Sequence, residues 1–325
     1  IRLGRRTIVT TRMGALVPPS SATRVMVLGS GSDDLLQSDQ NPHYDARWCV
    51  QQWSALQGNP VAFLDVLPRV EDGTLTQDVW QTPPVIIIDM SQARPASDDW
   101  LMSDELRDVI ANADPSHGPF ILYCNRVWKE GGPQTTTRDV ADRLRSWFPQ
   151  IPIAVVEAND PLPDHGLVVV TRTFLYRLSL IRPRASGVAI VRAEQELAYR
   201  GFRSLEQAAR LLRRLTSWAA SANAPCLIQT DAPDTVTAAL GSTILWHTNE
   251  LASRKLSLYP PVVDVHVLVS REDAELIASY RAQHSEALGS DTTLVVKQDP
   301  GETVDEWLTW PPSCDIFVSP DSITL

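Results

Sequence analysis

Chemistry on a phosphate needs a small set of side chains at fixed spacing, and this chain carries few of them. A loop that cradles phosphate has glycines that let the backbone approach, followed by Lys-Ser or Lys-Thr. The three lysines, Lys129, Lys255 and Lys297, precede Glu130, Leu256 and Gln298 instead. Gly29–Ser30–Gly31–Ser32, with Asp33 and Asp34 just beyond, has the look of a phosphate nest, but a lone G-x-G carries little weight. His43, His117, His165, His247, His266 and His284 are scattered without an H-x-x-x-H pair. Cys49, Cys124, Cys226 and Cys314 have no zinc-ligand spacing and read as core thiols of a reducing compartment. There is no G-x-S-x-G elbow and no local Cys/His signature, so hydrolase chemistry has no foothold.

Arginines and aromatics offer a second kind of chemistry. Helix spacing puts Arg210 on a turn next to Arg213 and Arg214, a basic stripe for phosphates or a charged solvent face. The solvent face is the reading preferred here. Trp48, Trp53, Trp218 and Trp246 could stack single-stranded bases, although core packing is the commoner use of tryptophan. The net charge of −10 is the wrong balance for a protein whose main work is coating phosphates.

These residues must be held by an alternating α/β chain of 325 residues, long enough for two or three domains. Apolar runs at Arg24–Leu28, Pro84–Met90, Phe120–Cys124, Ile153–Val156, Leu167–Val170 and Leu227–Thr230 read as buried strands. Ser103 followed by Asp104 and Glu105 predicts a helix N-cap, and helices are expected from Thr137 to Phe148 and from Ser204 through Leu215. Asp231–Ala232–Pro233–Asp234 has turn chemistry, and Asn249–Ser257 has the pattern of a surface helix stopped by Tyr259–Pro260–Pro261. Val262–Val269 is a further β-rich run, and no apolar run reaches transmembrane length.

Read together, several short stretches resemble the bacterial replication-restart helicase PriA (primosomal protein N′), in collinear order over nearly the whole chain. Thr7–Leu16 is similar to that family's I-V-x-G-T-R-S-A-L, and Pro42–Arg47 to its Y-H-A-R-D. Pro84–Met90 stands at its V-D-M-R, and Phe120–Arg126 resembles L-x-L-F-L-N-R-R-G. Thr171–Arg172–Thr173 sits at G-T-Q-M, and Gly201–Gln207 resembles D-F-R-x-x-E-R. Gln229–Thr230, Glu250–Pro261 and the tail Asp315–Ser322 complete the series.

The resemblance implies two RecA-like motor lobes, the first incomplete (residues 1–88) and the second (89–234) without the zinc insertion, then a small α+β C-terminal domain (235–325). It implies DNA-binding roles for Thr11, Arg12, Arg47, Arg126, Arg172 and Arg203, with a solvated or ion-paired surface arginine as the alternative for Arg12 and Arg47, and helix packing as the preferred role of Phe202 and Arg203. The departures matter as much. The acidic box is replaced by Gly29–Ser32, the Ser-Ala-Thr motif by Asp65–Val66–Leu67, and the arginine-finger box by Thr216–Ala222. An arginine finger is worth roughly 10³ to 10⁵ in turnover. The implied protein is a cytoplasmic pseudo-helicase of the primosome, with DNA and replication proteins as partners, and without catalytic residues, zinc, ATP turnover or membrane contact. Two alternatives stay open: an ATP-dependent DNA helicase completed by an upstream segment or partner, and a scaffold that binds only protein.

Overall fold

In the computed structural model the described residues are 10–16, 24–37, 44–70, 80–92, 101–116, 118–125, 136–157, 160–174, 184–197, 203–257, 264–270, 293–298 and 314–317. The elements run β1 (Val25–Leu28), β2 (Leu36–Gln37), β3 (Tyr44–Asp45), α1 (Ala46–Gln57), β4 (Val61–Leu64), β5 (Ile86–Asp89), α2 (Asp104–Asn112), β6 (Phe120–Tyr123), α3 (Thr137–Trp147), β7 (Ile153–Val156), β8 (Leu167–Val170), β9 (Gly187–Ile190), α4 (Glu194–Leu197), α5 (Ser204–Ser221), β10 (Cys226–Thr230), α6 (Pro233–Leu240), α7 (Thr243–Ser257), β11 (Asp264–Ser270), β12 (Thr293–Gln298) and β13 (Cys314–Phe317). They fall into two units, Thr76–Trp246 and the remainder of the chain.

The Thr76–Trp246 unit is an α/β layer structure on a six-stranded sheet, ordered β5-β10-β9-β6-β8-β7, with every pairing parallel. Strands β6, β8, β9 and β10 are buried at every residue, as a parallel sheet covered on both faces requires. One face carries Phe120, Leu122, Leu167, Val169, Ala189 and Leu227 against Leu106 and Ile110 of α2 and Val140, Ala141 and Leu144 of α3. The opposite residues of the pleat point to the other face, where α5 packs on β9 and β10. Gly187 is where β9 passes the Phe120 ring; a Cβ there would lie 2.2 Å from the ring, so no side chain fits.

Local rules explain the helices. Ser103 caps α2, its side chain accepting from Leu106 N–H, and the acidic first turn suits the helix dipole. Thr136 and Asp139 form a reciprocal capping box at α3. Pro233 occupies the first turn of α6, so the Asp231–Asp234 stretch expected to be a turn is in part a helix start. Helix α5 runs to Ser221, six residues past the expected end, because Thr216, Trp218 and Ala219 continue its buried face.

The arginine cluster of α5 is neither a phosphate stripe nor a solvent face. Arg210 and Arg213 are buried, and only Arg214 is half-exposed. Arg210 pairs with Glu206 one turn earlier at 2.7 Å. Arg213 donates to the carbonyls of Ala239 (2.8 Å) and Gly241 (3.0 Å) and to Thr243 Oγ1 (2.6 Å), and stacks 4.9 Å from the Trp80 ring centre. Trp80 Nε1 donates to Leu240 O at 2.8 Å, so one arginine and one tryptophan fasten the end of α6. These contacts explain why the unit extends from Thr76 to Trp246, where boundaries at 88 and 234 were expected. A boundary at 88 would cut through β5, which pairs with β10.

In the other unit β1 and β4 form a two-stranded parallel sheet, and β2 and β3 a short antiparallel pair. Val25, Val27 and Val61 pack with Ala46 and Val50 of α1 and with Ala15. β1 was expected to be buried, yet Met26 and Leu28 are exposed, because no described element covers that face of the pair. β12-β11-β13 is a separate antiparallel sheet within the residues assigned to an α+β domain.

Removing one partner of a fully buried ion pair leaves an uncompensated charge, at a cost of about 3–5 kcal/mol. Glu206→Gln is therefore expected to lower unfolding free energy by that order in urea titrations, with most of the loss recovered by pairing it with Arg210→Met.

Candidate functional site at the carboxyl edge of the sheet

In an open parallel sheet, ligands bind outside the strand carboxyl ends, where successive connections leave in opposite directions. The connection after β6 leads outward to β7, whereas that after β9 leads back to β10. Because β6 and β9 are neighbours, the reversal lies between their carboxyl ends.

A continuous side-chain network occupies this edge. From β10, Gln229 is fully buried; its Nε2 donates to Val191 O (2.7 Å) and Leu101 O (3.2 Å), and its Oε1 accepts from Ser103 N–H (2.8 Å). Thr230 Oγ1 and the Asp231 amide donate to Glu194 Oε1, each at 2.5 Å. Arg192 reaches Asp231 at 2.5 Å and Glu194 at 3.9 Å. From β6, Tyr123 OH donates to Glu196 in a short hydrogen bond, and the Asn125 amide donates to Gln195 Oε1 at 2.8 Å. Past β8, the Arg172 amide donates to Asn125 Oδ1 (3.3 Å), its guanidinium lies 3.7 Å from Glu196, and the Thr171 and Thr173 hydroxyls are 2.9 Å apart. Four neighbouring strands are thus joined by side chains beyond their ladders.

Glu196 is the electrostatic centre of the network, with its side chain 1% exposed. Burial pushes its carboxyl above the usual range, and hydrogen bonds from Tyr123 and Asn125 and the charge of Arg172 only partly offset this. Arg172 is 29% exposed and is the cation on the outer lip of the crevice. Burial alone drives the Cys226 thiol, at the other end of β10, to about 12.

The described residues assigned to DNA by resemblance fall in both units, Thr11, Arg12 and Arg47 in one and Arg172 and Arg203 in the other. Thr11 is exposed and Arg12 half-buried, with a 3.5 Å contact to Asp34 O. Arg47 is 2% exposed, and its guanidinium is committed to Asp45 (2.8 Å) and the carbonyls of Ser30 (2.7 Å) and Ser32 (3.3 Å). Burial opposes ionisation of Asp45, but the hydrogen bond and charge of Arg47, with Arg69 behind it, hold the carboxyl below its usual range. Arg203 is likewise buried. A DNA-facing role for Arg47 or Arg203 is therefore at odds with their burial: packing and intrachain partners have taken these side chains. Arg126 lies outside the described residues. Among the described members of the set, Arg172 is the one in the network at the carboxyl edge.

The Gly29–Ser32 turn is no open phosphate nest. Gly29 adopts φ 64°, and the Gly29 and Ser30 amides donate to Leu64 O, Gly31 N–H to Asp65 Oδ2 at 2.8 Å, and Ser32 N–H to Gly29 O. Asp65 thus fills the place an outside anion would take. Among the tryptophans, Trp218 and Trp246 are buried, whereas Trp48 is 60% exposed. Among the described residues no three His, Cys, Asp or Glu side chains group as a metal site requires, and no helix is long and apolar enough to cross a membrane.

Sequence reading placed Gln229–Thr230 at a strand end and Arg172 at a site, but missed Tyr123, Gln195 and Glu196. For Tyr123 the available signal was a polar group at the end of an otherwise apolar strand, whereas Gln195 and Glu196, on the short helix α4, gave none. No protein-family model matches the chain, and no curated protein matches it.

Two outcomes test the network. Gln229→Leu removes three hydrogen bonds to buried backbone groups, and because a buried group that loses its bond costs about 1–3 kcal/mol, a loss of at least about 2 kcal/mol in urea unfolding is expected. Glu196 binds its proton more tightly folded than unfolded, so stability should fall as pH rises from 4.5 through the raised value. Glu196→Gln removes that loss: the gap in urea midpoint between variant and parent should open across this window and stay constant above it. A gap independent of pH would show that Glu196 is not held protonated.

Proposed function

We propose that the chain is a PriA-like factor of DNA replication restart whose motor chemistry has been lost. It holds forked or single-stranded DNA, other primosome proteins, or both, without ATP-driven unwinding. The observation that carries the reading is the Gly29–Ser32 turn. It stands at the end of β1, where the resembled family keeps metal-holding carboxylates, yet its amides are bonded within the chain and Asp65 sits in the anion position. The parallel α/β unit with its crossover helices is compatible with a motor-type core and supports the fold side of the reading. The net charge of −10 favours protein partners with local rather than broad DNA contact.

The test is an ATPase assay with and without forked DNA, run beside a salt-dependent fork-binding titration. Turnover is expected to stay at background, with saturable fork binding that weakens as salt rises. Fork-stimulated turnover above background would overturn the loss of motor chemistry; absence of fork binding at low salt would restrict the factor to protein partners.

A further inference from the structure

The crevice between β6 and β9 presents a cation and its counter-ion at different depths. Arg172 is on the lip and 29% exposed; Glu196, 3.7 Å behind it, is 1% exposed. Glu196 is also held by Tyr123 OH, which donates to it from β6. Asn125 ties the two sides together by accepting from the Arg172 amide and hydrogen bonding to Glu196. Thr171 and Thr173 precede and follow Arg172 in the chain, and their hydroxyls bond each other at 2.9 Å, one donating and one accepting, which leaves one hydroxyl proton of the pair for a ligand. A guanidinium with adjacent hydroxyls is suited to a phosphate oxyanion.

We propose that this crevice binds a phosphate group on Arg172 and that binding transfers Arg172 from Glu196 to the ligand while Glu196 takes up a proton. The ledger is simple: one proton enters from solvent to the carboxylate, Tyr123 stays bonded to Glu196, and the guanidinium keeps its charge throughout. Loss of Arg172 as a neighbour removes one of the influences that hold Glu196 ionised, and its burial does the rest. The other charged groups on elements around Glu196 are Arg192 and Glu194 just before it, Asp231 after β10, Arg203 at the N-cap of α5, and Glu206, Arg210, Arg213 and Arg214 on α5, which packs against α4. Arg192, Glu194 and Asp231 are bonded to one another, as are Glu206 and Arg210, so these pairings need not change when Arg172 moves. The inference rests on the nucleic-acid side of the proposed function and adds to it a site and a proton linkage.

The experiment follows binding of a fluorescent single-stranded oligothymidylate, and separately of inorganic pyrophosphate, from pH 5 to pH 8 at constant salt. One linked proton gives an affinity that falls by up to about tenfold per pH unit within the titration window. Glu196→Gln, nearly isosteric, should flatten that dependence and bind more tightly than the parent at high pH; Arg172→Ala should weaken binding at every pH. Oligothymidylate alone showing this pattern identifies a phosphodiester ligand, and pyrophosphate alone a free phosphate. The inference fails if Glu196→Gln keeps the parental pH profile, if Arg172→Ala binds like the parent, or if neither probe binds. Circular dichroism and urea midpoints at each pH separate loss of the site from loss of the fold. Persistent fork binding in Arg172→Ala would sink this site and leave the proposed function standing, since only fork-stimulated ATP turnover or absence of fork binding bears on that.

Discussion

Parallel strands have an open carboxyl edge, and the fold of the Thr76–Trp246 unit depends on how that edge is closed. Ladder hydrogen bonds hold β10, β9, β6 and β8 side by side but stop at the strand ends. Beyond them the bonds belong to side chains: Gln229 ties β10 to the segment after β9 and to the N-terminus of α2, Glu194 ties the ends of β9 and β10, and Glu196 with Asn125 ties β6, β8 and α4. Each bond satisfies a backbone or polar group that would otherwise face a low-dielectric interior, where an unmet donor costs about 1–3 kcal/mol. The network is expensive to break at one point because its members share partners. Among its described members, Arg172, 29% exposed, has the most exposed guanidinium.

The same economy of charge recurs through the chain. Arg47, Arg210, Arg213 and Arg254 are nearly or wholly buried, each bonded to a carboxylate or to backbone carbonyls. A planar five-donor guanidinium can close several acceptors at once, which lysine cannot, and this accounts for structural arginines in a chain with three lysines. Arginine content therefore overstates the surface offered to phosphate.

The strands were legible because continuous apolar runs leave few alternatives: Phe120–Tyr123 and Leu167–Val170 read as buried strands and are so. Ser103 as a cap was equally legible, since capping is decided within one turn. The exposure of β1 was not, because covering the second face of a parallel pair depends on distant residues. Nor was the fate of Arg210 and Arg213. Their spacing suits a solvent stripe or a buried face equally, and only Glu206, Ala239, Gly241 and Thr243 arriving in space decide it. The site followed the same division: Gln229 and Thr230 stood out as polar residues closing an apolar run, whereas Glu196 gave no local sign of becoming the carboxyl at the crevice floor.

Native-state hydrogen exchange at single-residue resolution addresses the closed edge most directly. The Ser103, Asn125 and Arg172 amides lie outside the strands and are bonded to the side chains of Gln229, Gln195 and Asn125. If the network holds the edge as described, they exchange as slowly as core amides such as Leu122 and Val169, through global unfolding. Fast exchange of these three, through local opening that denaturant does not accelerate, would mean that the strand ends are held by their ladders alone.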